Sequence, residues 1–179
     1  MDRLTELANK YNCDKGTIAY EAHGYTEEYQ KIIPEKVPFH LLEIGIWHGD
    51  SIKMWNEYNS EIRIDAIDND PSILKMELET SNKIKVFIAD QGSTEALSKI
   101  PFYISYDIII DDGSHNYEDI LTSFKFLFRK LKKGGYYCIE DLHAPQAQKD
   151  RLVNELTSLY NLKNLDFRCE GKLWIIKAL

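Results

Sequence analysis

The most informative part of this chain runs Leu41-Leu42-Glu43-Ile44-Gly45-Ile46-Trp47-His48-Gly49-Asp50-Ser51. A short apolar run reaches an acidic residue, and two glycines, Gly45 and Gly49, then let the backbone turn tightly and approach a ligand. Ser51 opens an amphipathic segment that continues to Tyr58. The pattern predicts a buried strand, a ligand-facing loop and a helix, although a strand-to-helix turn without a ligand also favours glycine.

Short apolar runs alternate with amphipathic segments on the C-terminal side of this stretch. We predict strands over Leu41–Ile44, Ile62–Ile67, Ile84–Ala89, Tyr106–Ile110 and Tyr136–Ile139. We predict helices over Ser51–Tyr58, Pro71–Thr80, Thr94–Lys99, Tyr117–Leu131 and Gln146–Tyr160. This alternation indicates an α/β fold in which helices cover both faces of a mostly parallel sheet.

The two ends of the chain depart from the alternation. Leu165–Arg168 and Leu173–Lys177 flank a short connection that contains Gly171, which predicts an antiparallel hairpin and a seven-stranded sheet in all. Residues 1–39 carry no strand signal. We therefore predict a helical N-terminal cap or lid over residues 1–39 and a catalytic domain over residues 40–179, packed together as one compact unit.

The composition is that of a globular protein with a substantial core. The chain has 179 residues, 44% of them hydrophobic, and a formal net charge of −7. Nucleic acids and anionic membranes need clustered Lys and Arg, so we expect neither partner. No stretch approaches the ~20 apolar residues of a membrane span. The three cysteines are far apart, as in a reduced protein, and we expect a cytoplasmic location.

Polar side chains follow the next two predicted strands where each of them ends. Asp68 can accept hydrogen bonds from a ribose diol, and Asp90 and Gln91 offer polar groups suited to an adenine edge. A single Asp after a strand is weak support, because Asp commonly caps helices. Three successive strand ends that carry suitable polar groups predict a nucleoside site, since ligands of open parallel sheets bind at that edge.

Acidic residues follow the fourth and fifth strands, as Asp111 and Asp112 and as Glu140 and Asp141. Neighbouring strands lie about 4.8 Å apart, so these carboxylates converge and need a counter-charge. Hard oxygen ligands favour Mg²⁺, or Mn²⁺ in its place. Asp111 and Asp112 point to opposite sides of the chain, and we choose Asp112 as the ligand. Helix capping is the alternative role for each acid taken singly.

His115 lies three positions after Asp112 and can face the same cavity. A neutral imidazole can accept a proton at working pH, so we predict that His115 is a general base. An ordinary surface or packed histidine is the alternative. His48 and His143 lie near the same rim as weaker candidates for supporting or substrate-binding groups.

The residues at these strand ends resemble the S-adenosylmethionine site of class I methyltransferases. The form Glu43-x-Gly45-x-Trp47-x-Gly49-x-Ser51 is similar to that of the metal-dependent O-methyltransferases, the catechol type among them. Further stretches, Asp14–Thr17, Ile110–His115 and Gly134–Leu142, resemble the sugar O-methyltransferases of macrolide antibiotic biosynthesis. The resemblance implies a Rossmann-like class I methyltransferase fold.

The resemblance also assigns roles to single residues. It implies that the methionine part of the donor is surrounded by Glu43, Gly45, Trp47 and Ser51, the ribose is bound by Asp68, and the adenine is flanked by Asp90 and Gln91. It implies that the Mg²⁺ ligands are Asp112, Glu140 and Asp141, and that the base is His115. It further implies an N-terminal segment, with His23, Tyr25 and Tyr29, folded over the acceptor, and a homo-oligomer. His143 is a candidate substrate contact.

The acceptor expected from this resemblance is a hydroxyl of a sugar or saccharide-containing small molecule. A catechol or a phosphorylated metabolite is the alternative acceptor. A nicotinamide-dependent oxidoreductase would share the fold, but Gly45-x-x-x-Gly49 departs from the dinucleotide-binding pattern. A metal-dependent phosphohydrolase and a non-catalytic nucleotide-binding protein are the other classes left open.

Overall fold

The computed structural model describes residues 2–76, 82–142, 145–159, 165–170 and 172–179, and within 165–170 the only side chain described is that of Arg168. In this part of the chain seven strands form one sheet of order β3-β2-β1-β4-β5-β7-β6. The strands are β1 Phe39–Ile44, β2 Ile62–Asp68, β3 Ile84–Ile88, β4 Tyr106–Asp111, β5 Leu131–Ile139, β6 Leu165–Glu170 and β7 Leu173–Ala178. Strands β1 to β5 pair in parallel, and β7 runs antiparallel to β5 and β6. The predicted fold class and the C-terminal hairpin are confirmed.

The helices connect the strands and supply the N-terminal segment. They are α1 Arg3–Lys10, α2 Thr26–Tyr29, α3 Asp50–Tyr58, α4 Thr94–Leu97, α5 Tyr117–Leu127 and α6 Gln146–Leu159, with 3₁₀ turns over Pro71–Lys75 and Phe128–Lys130. No helix among the described residues is both long and apolar enough to cross a membrane.

The largest differences from the predicted boundaries occur in two places. The helix predicted to reach Leu131 ends at Leu127, and β5 begins at Leu131, because the ladder with β4 pairs Leu131 with Tyr106 and shifts register before Ile108. Gly134, with a φ of 79°, lies within that irregular part of β5. The segment after Pro71 forms a short 3₁₀ turn, and the rest of the helix predicted there, residues 77–81, lies outside the described residues.

Side chains that alternate along the strands build a core on each face of the sheet. Leu41, Ile64 and Ile108 belong to a buried cluster that also takes in residues of α1 and α3. Their strand neighbours Leu42 and Ile109 belong to a second cluster with residues of α5 and α6. The N-terminal helix therefore shares the core of the sheet, and this packing brings the segment that follows it to the carboxyl ends of the strands.

Candidate functional site

The loops after β1 and β4 are hydrogen-bonded to the ends of the neighbouring strands at the carboxyl edge of the sheet. The amide of Gly45 donates to the Ile67 carbonyl at 2.8 Å, and the amide of Asp112 donates to the Ile44 carbonyl at 3.0 Å. Gly45 has a φ of 90°, and a Cβ atom there would lie 2.1 Å from the Asp112 carbonyl oxygen. Glycine is therefore required where the first loop crosses the fourth strand end.

A cavity of about 570 Å³ opens at this edge. Most of the predicted site residues contribute to its wall, namely Gly45, Trp47, Asp68, Asp90, Gln91, Asp112, His115 and Asp141, and Asp14 and Asp119 line it as well. The volume lies within the range of small-molecule and cofactor sites, about 300–1,000 Å³. The residues predicted to bind the donor and those predicted to perform chemistry thus share one cavity.

Asp68 and Asp90 use part of their hydrogen-bonding capacity to shape the cavity. Asp68 accepts from the backbone amides of Ile46 and Asp70, at 2.8 Å and 2.9 Å, with one carboxylate oxygen each. Asp90 accepts from the amide of Gly92 at 2.8 Å. A carboxylate has about four acceptor positions, so both side chains retain lone pairs for a ligand.

Gln91 lines the cavity, as predicted, but its side-chain amide is hydrogen-bonded within the protein. Its Nε2 donates to Asp111 Oδ1 at 3.0 Å, and its Oε1 accepts from the amide of Ser114 at 2.7 Å. The side chain is buried, and a Cβ atom on Gly113 would lie 1.9 Å from Gln91 Oε1. Gln91 therefore supports the loop that carries Asp112 and His115. Contact with adenine stays a prediction.

Glu43 is fully buried behind the cavity wall. Its Oε2 accepts from Trp55 Nε1 at 3.1 Å, and its Oε1 lies 3.5 Å from Lys15 Nζ. Ser51 is also buried, and its side chain opposes the rise in the pKa of this carboxylate that burial causes. Neither residue lines the large cavity, although Ser51 lines a neighbouring one of about 50 Å³. Their contact with the methionine part of a donor stays a prediction.

Asp112, His115 and Asp141 form a group that fits a divalent cation. Each offers one ligand atom, and the three atoms lie within 4.8 Å of one another. His115 and Asp141 both have left-handed backbones, with φ of 55° and 50°. Strained backbone of this kind clusters at functional sites, and here it turns both side chains toward Asp112. Two carboxylates with an imidazole beside them suit Mg²⁺ or Mn²⁺.

Lys15 places a positive charge among the acids. Its Nζ atom lies 2.5 Å from Asp112 Oδ2 and 3.0 Å from Glu140 Oε2. The side chain of Lys15 is 1% exposed, as is that of Glu140. The other oxygen of Glu140 accepts from the hydroxyl of Tyr29 at 2.5 Å. Both oxygens of Glu140 are thus engaged by the protein, and the protein itself supplies part of the counter-charge that the sequence assigned to a metal ion.

The electrostatics of the buried acids reflect this arrangement. Burial raises the pKa of Glu43 to about 7, against the opposing effect of the Lys15 charge. Burial, followed by the neighbouring Asp112, also raises the pKa of Glu140 well above its ordinary range. Burial by itself lowers the pKa of Lys15, but the surrounding carboxylates outweigh it and hold that pKa well above its ordinary range. The carboxylates around Lys15 therefore favour its protonated form.

The N-terminal segment contacts Asp141 through two predicted residues. The Tyr25 hydroxyl donates to Asp141 Oδ1 at 2.6 Å, and His23 Nε2 lies 3.2 Å from Asp141 Oδ2. The two rings stack with centroids 5.1 Å apart. They line a separate cavity of about 500 Å³, together with Glu27 and Glu28. Acceptor contact by these residues stays a prediction, and His143 lies outside the described residues.

The stretch Asp14–Thr17 carries part of the family resemblance, but no role was predicted for Lys15, so the buried ammonium was missed. One signal could have found it. Four acids at adjacent strand ends exceed the charge of one divalent ion, so a cation from elsewhere in the chain was required.

Residues 42–142 match the family described as a methyltransferase domain. The chain belongs to this family. The domain is 31% identical over 176 residues to demethylmacrocin O-methyltransferase of Streptomyces fradiae, covering 90% of this chain and 43% of that protein. It is 31% identical over 148 residues to mycinamicin VI 2''-O-methyltransferase of Micromonospora griseorubida, covering 78% of this chain and 36% of that protein.

The fold of the domain is similar to that of a solved relative. The MycE methyltransferase from the mycinamycin biosynthetic pathway, in complex with Mg and SAH, superposes with a TM-score of 0.78 at 26% sequence identity. The match covers 99% of this chain and 55% of that chain. The domain thus spans less than half the length of the two curated relatives and about half of the structural one.

Proposed function

We propose that the chain is an S-adenosylmethionine-dependent O-methyltransferase that uses a divalent cation and methylates a hydroxyl of a sugar-bearing small molecule. One observation carries the proposal: Asp112, His115 and Asp141 converge within 4.8 Å on the cavity that Gly45 and Asp68 also line. The methyl donor and the group that activates the acceptor can therefore bind next to each other in this cavity.

The donor half of the cavity is formed by the loops after β1, β2 and β3. Asp68 receives the ribose hydroxyls on its free lone pairs, and Asp90 approaches the adenine. Gly45 lets the backbone come close to the donor because it carries no side chain. Trp47, which is 70% exposed, lies at the mouth of the cavity and covers the methionine part.

The acceptor half is formed by the loops after β4 and β5. When bound, S-adenosylmethionine supplies an electrophilic methyl group, and a divalent cation lowers the pKa of an acceptor hydroxyl. Asp112 and Asp141 hold the cation, and ligation by the neighbouring Glu140 stays a prediction. His115, whose side chain is exposed to the cavity, accepts the hydroxyl proton as the oxygen attacks the methyl carbon. The carbon–sulfur bond breaks in the same step and leaves S-adenosylhomocysteine.

The proposed class of acceptor is based on the substrates in the names of the relatives. Demethylmacrocin and mycinamicin VI are the substrates in the names of two of them, and a third is an L-olivosyl-oleandolide 3-O-methyltransferase. We therefore propose a deoxysugar or other saccharide hydroxyl as the acceptor. The homo-oligomer implied by the resemblance also remains a proposal, which light scattering after size exclusion tests directly.

Calorimetry with S-adenosylmethionine and with NAD is the first test, because the two ligands separate methyltransferase from oxidoreductase. We expect binding of S-adenosylmethionine alone. Transfer of a labelled methyl group to a panel of glycosides, catechols and phosphorylated metabolites then identifies the acceptor class, with and without Mg²⁺. Binding of NAD in preference to S-adenosylmethionine would refute the proposal.

Removal of the base is the second test. His115→Ala should lower kcat by about 10²- to 10⁴-fold while leaving the affinity for S-adenosylmethionine within about threefold. His40→Gln, a change in a histidine near the start of β1 and away from the cavity, is the control and should retain most of the activity. Parent-like turnover of His115→Ala at neutral pH would remove His115 from the mechanism.

A further inference from the structure

Asp119 lines the large cavity, and neither the sequence pattern nor the proposed function gives it a role. It lies in the first turn of α5, the helix that Asn116 caps. Among the described residues, seven aspartates and neither Lys nor Arg line this cavity. A wall of this kind offers negative charge and hydrogen-bond acceptors, so it suits a ligand that brings N–H groups and positive charge.

The carboxylate of Asp119 is held by the protein through one of its two oxygens. Oδ2 accepts from the hydroxyl of Ser114 at 2.8 Å, and Ser114 Oγ accepts from the amide of Asn116 at 3.2 Å. No donor in the described part of the chain reaches Asp119 Oδ1. The first pair of hydrogen bonds fixes the direction of the carboxylate, so Oδ1 is a fixed acceptor that a ligand can use.

Asp119 and Asp90 approach each other at Gly92. A Cβ atom on Gly92 would lie 2.5 Å from Asp119 Oδ1 and 3.3 Å from Asp90 Oδ1, so glycine is needed for the loop after β3 to come this close to α5. Asp90 Oδ1 accepts from the amide of Gly92 at 2.8 Å, and the lone pairs of its Oδ2 remain for a ligand. Two carboxylates on separate elements therefore offer acceptors at the strand end where adenine is expected.

The 6-amino group of adenine has the complementary chemistry. It carries two N–H bonds and is fully satisfied only by two acceptors. The 6-oxo group of hypoxanthine has lone pairs instead, which two carboxylates repel. Sites that hydrogen-bond a polar group discriminate strongly against an analogue without it, because the acceptors of the protein are then left unpaired.

We propose that Asp119 determines which base the methyl donor carries: its Oδ1 accepts one N–H of the adenine 6-amino group, and Asp90 accepts the other. Gln91 Oε1 already accepts from the amide of Ser114, which leaves Asp119 as the acceptor beside Asp90. The inference deepens the proposed function and rests on its donor-binding cavity.

The test is calorimetry on the whole chain with two nucleoside thioethers, S-adenosylhomocysteine and S-inosylhomocysteine, which differ in the 6-amino and 6-oxo groups. We expect the parent to bind the adenosyl compound about 100-fold more tightly. Asp119→Asn keeps the size of the side chain and an oxygen for Ser114, but it replaces the other oxygen by an N–H donor. We therefore expect the ratio of the two affinities to fall to about tenfold or less.

Glu118→Gln is the matched control, because it removes one negative charge from the same first turn of α5 at an exposed position. We expect the ratio to stay within about twofold of the parent value. A merely structural role of Asp119 would weaken the binding of both compounds alike and leave the ratio unchanged. An unchanged ratio in Asp119→Asn, or an equal fall in Glu118→Gln, would therefore overturn the proposal.

The remaining outcomes separate this inference from the proposed function. If the parent binds neither compound, the donor site of the proposed function is wrong and the inference falls with it. If the parent binds both compounds equally, only the inference is wrong. If Asp119→Asn does not fold, Ser114→Ala decides: it frees the Asp119 carboxylate to rotate, so we expect the ratio to fall at least about threefold, and an unchanged ratio overturns the proposal.

Discussion

Single residues determine how closely the loops of the site approach one another. Gly45 and Gln91 are both in the motifs that predicted a nucleoside site, and both turn out to contact the loop after β4. That second role could not be predicted, because it depends on which loops are neighbours in space. A sequence motif indicates the edge of the sheet at which a residue lies, but not which of its atoms the protein already uses.

Gly45→Ala should lower the free energy of unfolding by about 3 kcal/mol or more, since it adds a clash with the Asp112 carbonyl to left-handed strain. Gly134→Ala is the matched control, because Gly134 has a similar φ of 79° and a Cβ atom there would meet no atom within 4 Å beyond its chain neighbours. We expect a loss of about 1 kcal/mol there. Denaturant titration measures both, and equal losses would contradict the close approach.

Gln91→Ala should destabilise the fold by about 1–3 kcal/mol, because the buried Asp111 carboxylate and the amide of Ser114 lose hydrogen bonds. We expect the affinity for S-adenosylmethionine to change by less than about threefold. Asp90→Ala, at the adjacent exposed position, should show the reverse pattern. Calorimetry and denaturant titration separate the two, and a large loss of donor affinity in Gln91→Ala would restore its predicted contact with adenine.

The elements of the sheet were predictable because buried parallel strands have long apolar runs. All seven strands were located to within a few residues, and the largest error was the start of β5, where Lys132 and Lys133 extend the strand without any apolar signal. The N-terminal segment was harder. Its contacts are polar and long-range, as between Tyr29 and Glu140, and periodicity contains no information about them.

Tyr29→Phe tests how the N-terminal segment is attached. The ring stays buried, but Glu140 loses a hydrogen-bond donor, so we expect a loss of about 1–3 kcal/mol in stability. Amide exchange at Thr26, which donates to the Lys15 carbonyl, should become faster. Tyr20→Phe is the control, because Tyr20 is 89% exposed, and its effect should stay within about 0.5 kcal/mol. If Tyr29→Phe and Tyr20→Phe had the same stability and the same exchange rates, the Tyr29 hydroxyl would not be what holds the N-terminal segment in place.

At the scale of the whole molecule, ligand binding should stabilise the fold, because the cavity and the group formed by Asp112, His115 and Asp141 exist only when the parallel strands are aligned. Mg²⁺ at about 100 times its Kd should add about 2.7 kcal/mol to the free energy of unfolding. For a chain of this size that corresponds to a rise of about 5–10 °C in Tm.

Asp112→Asn is the comparison for this thermal shift, since it removes one of the two carboxylates from the group formed by Asp112, His115 and Asp141. We expect most of the Mg²⁺-dependent rise in Tm to disappear in this variant. The shift with S-adenosylmethionine should be largely retained, because the donor half of the cavity is unchanged. A Mg²⁺ shift of the same size in Asp112→Asn would place the ion elsewhere.

The contact between Lys15 and Glu140 joins residues 125 positions apart in the chain. During synthesis the lysine leaves the ribosome long before Glu140, so this ion pair forms only after the 124 residues between them have been made. Closing so long a loop is slow, because the entropy of the intervening chain is lost before the contact can repay it. We therefore expect the edge of the sheet that carries Lys15 and Glu140 to become ordered late in folding, after the strands that support it have paired.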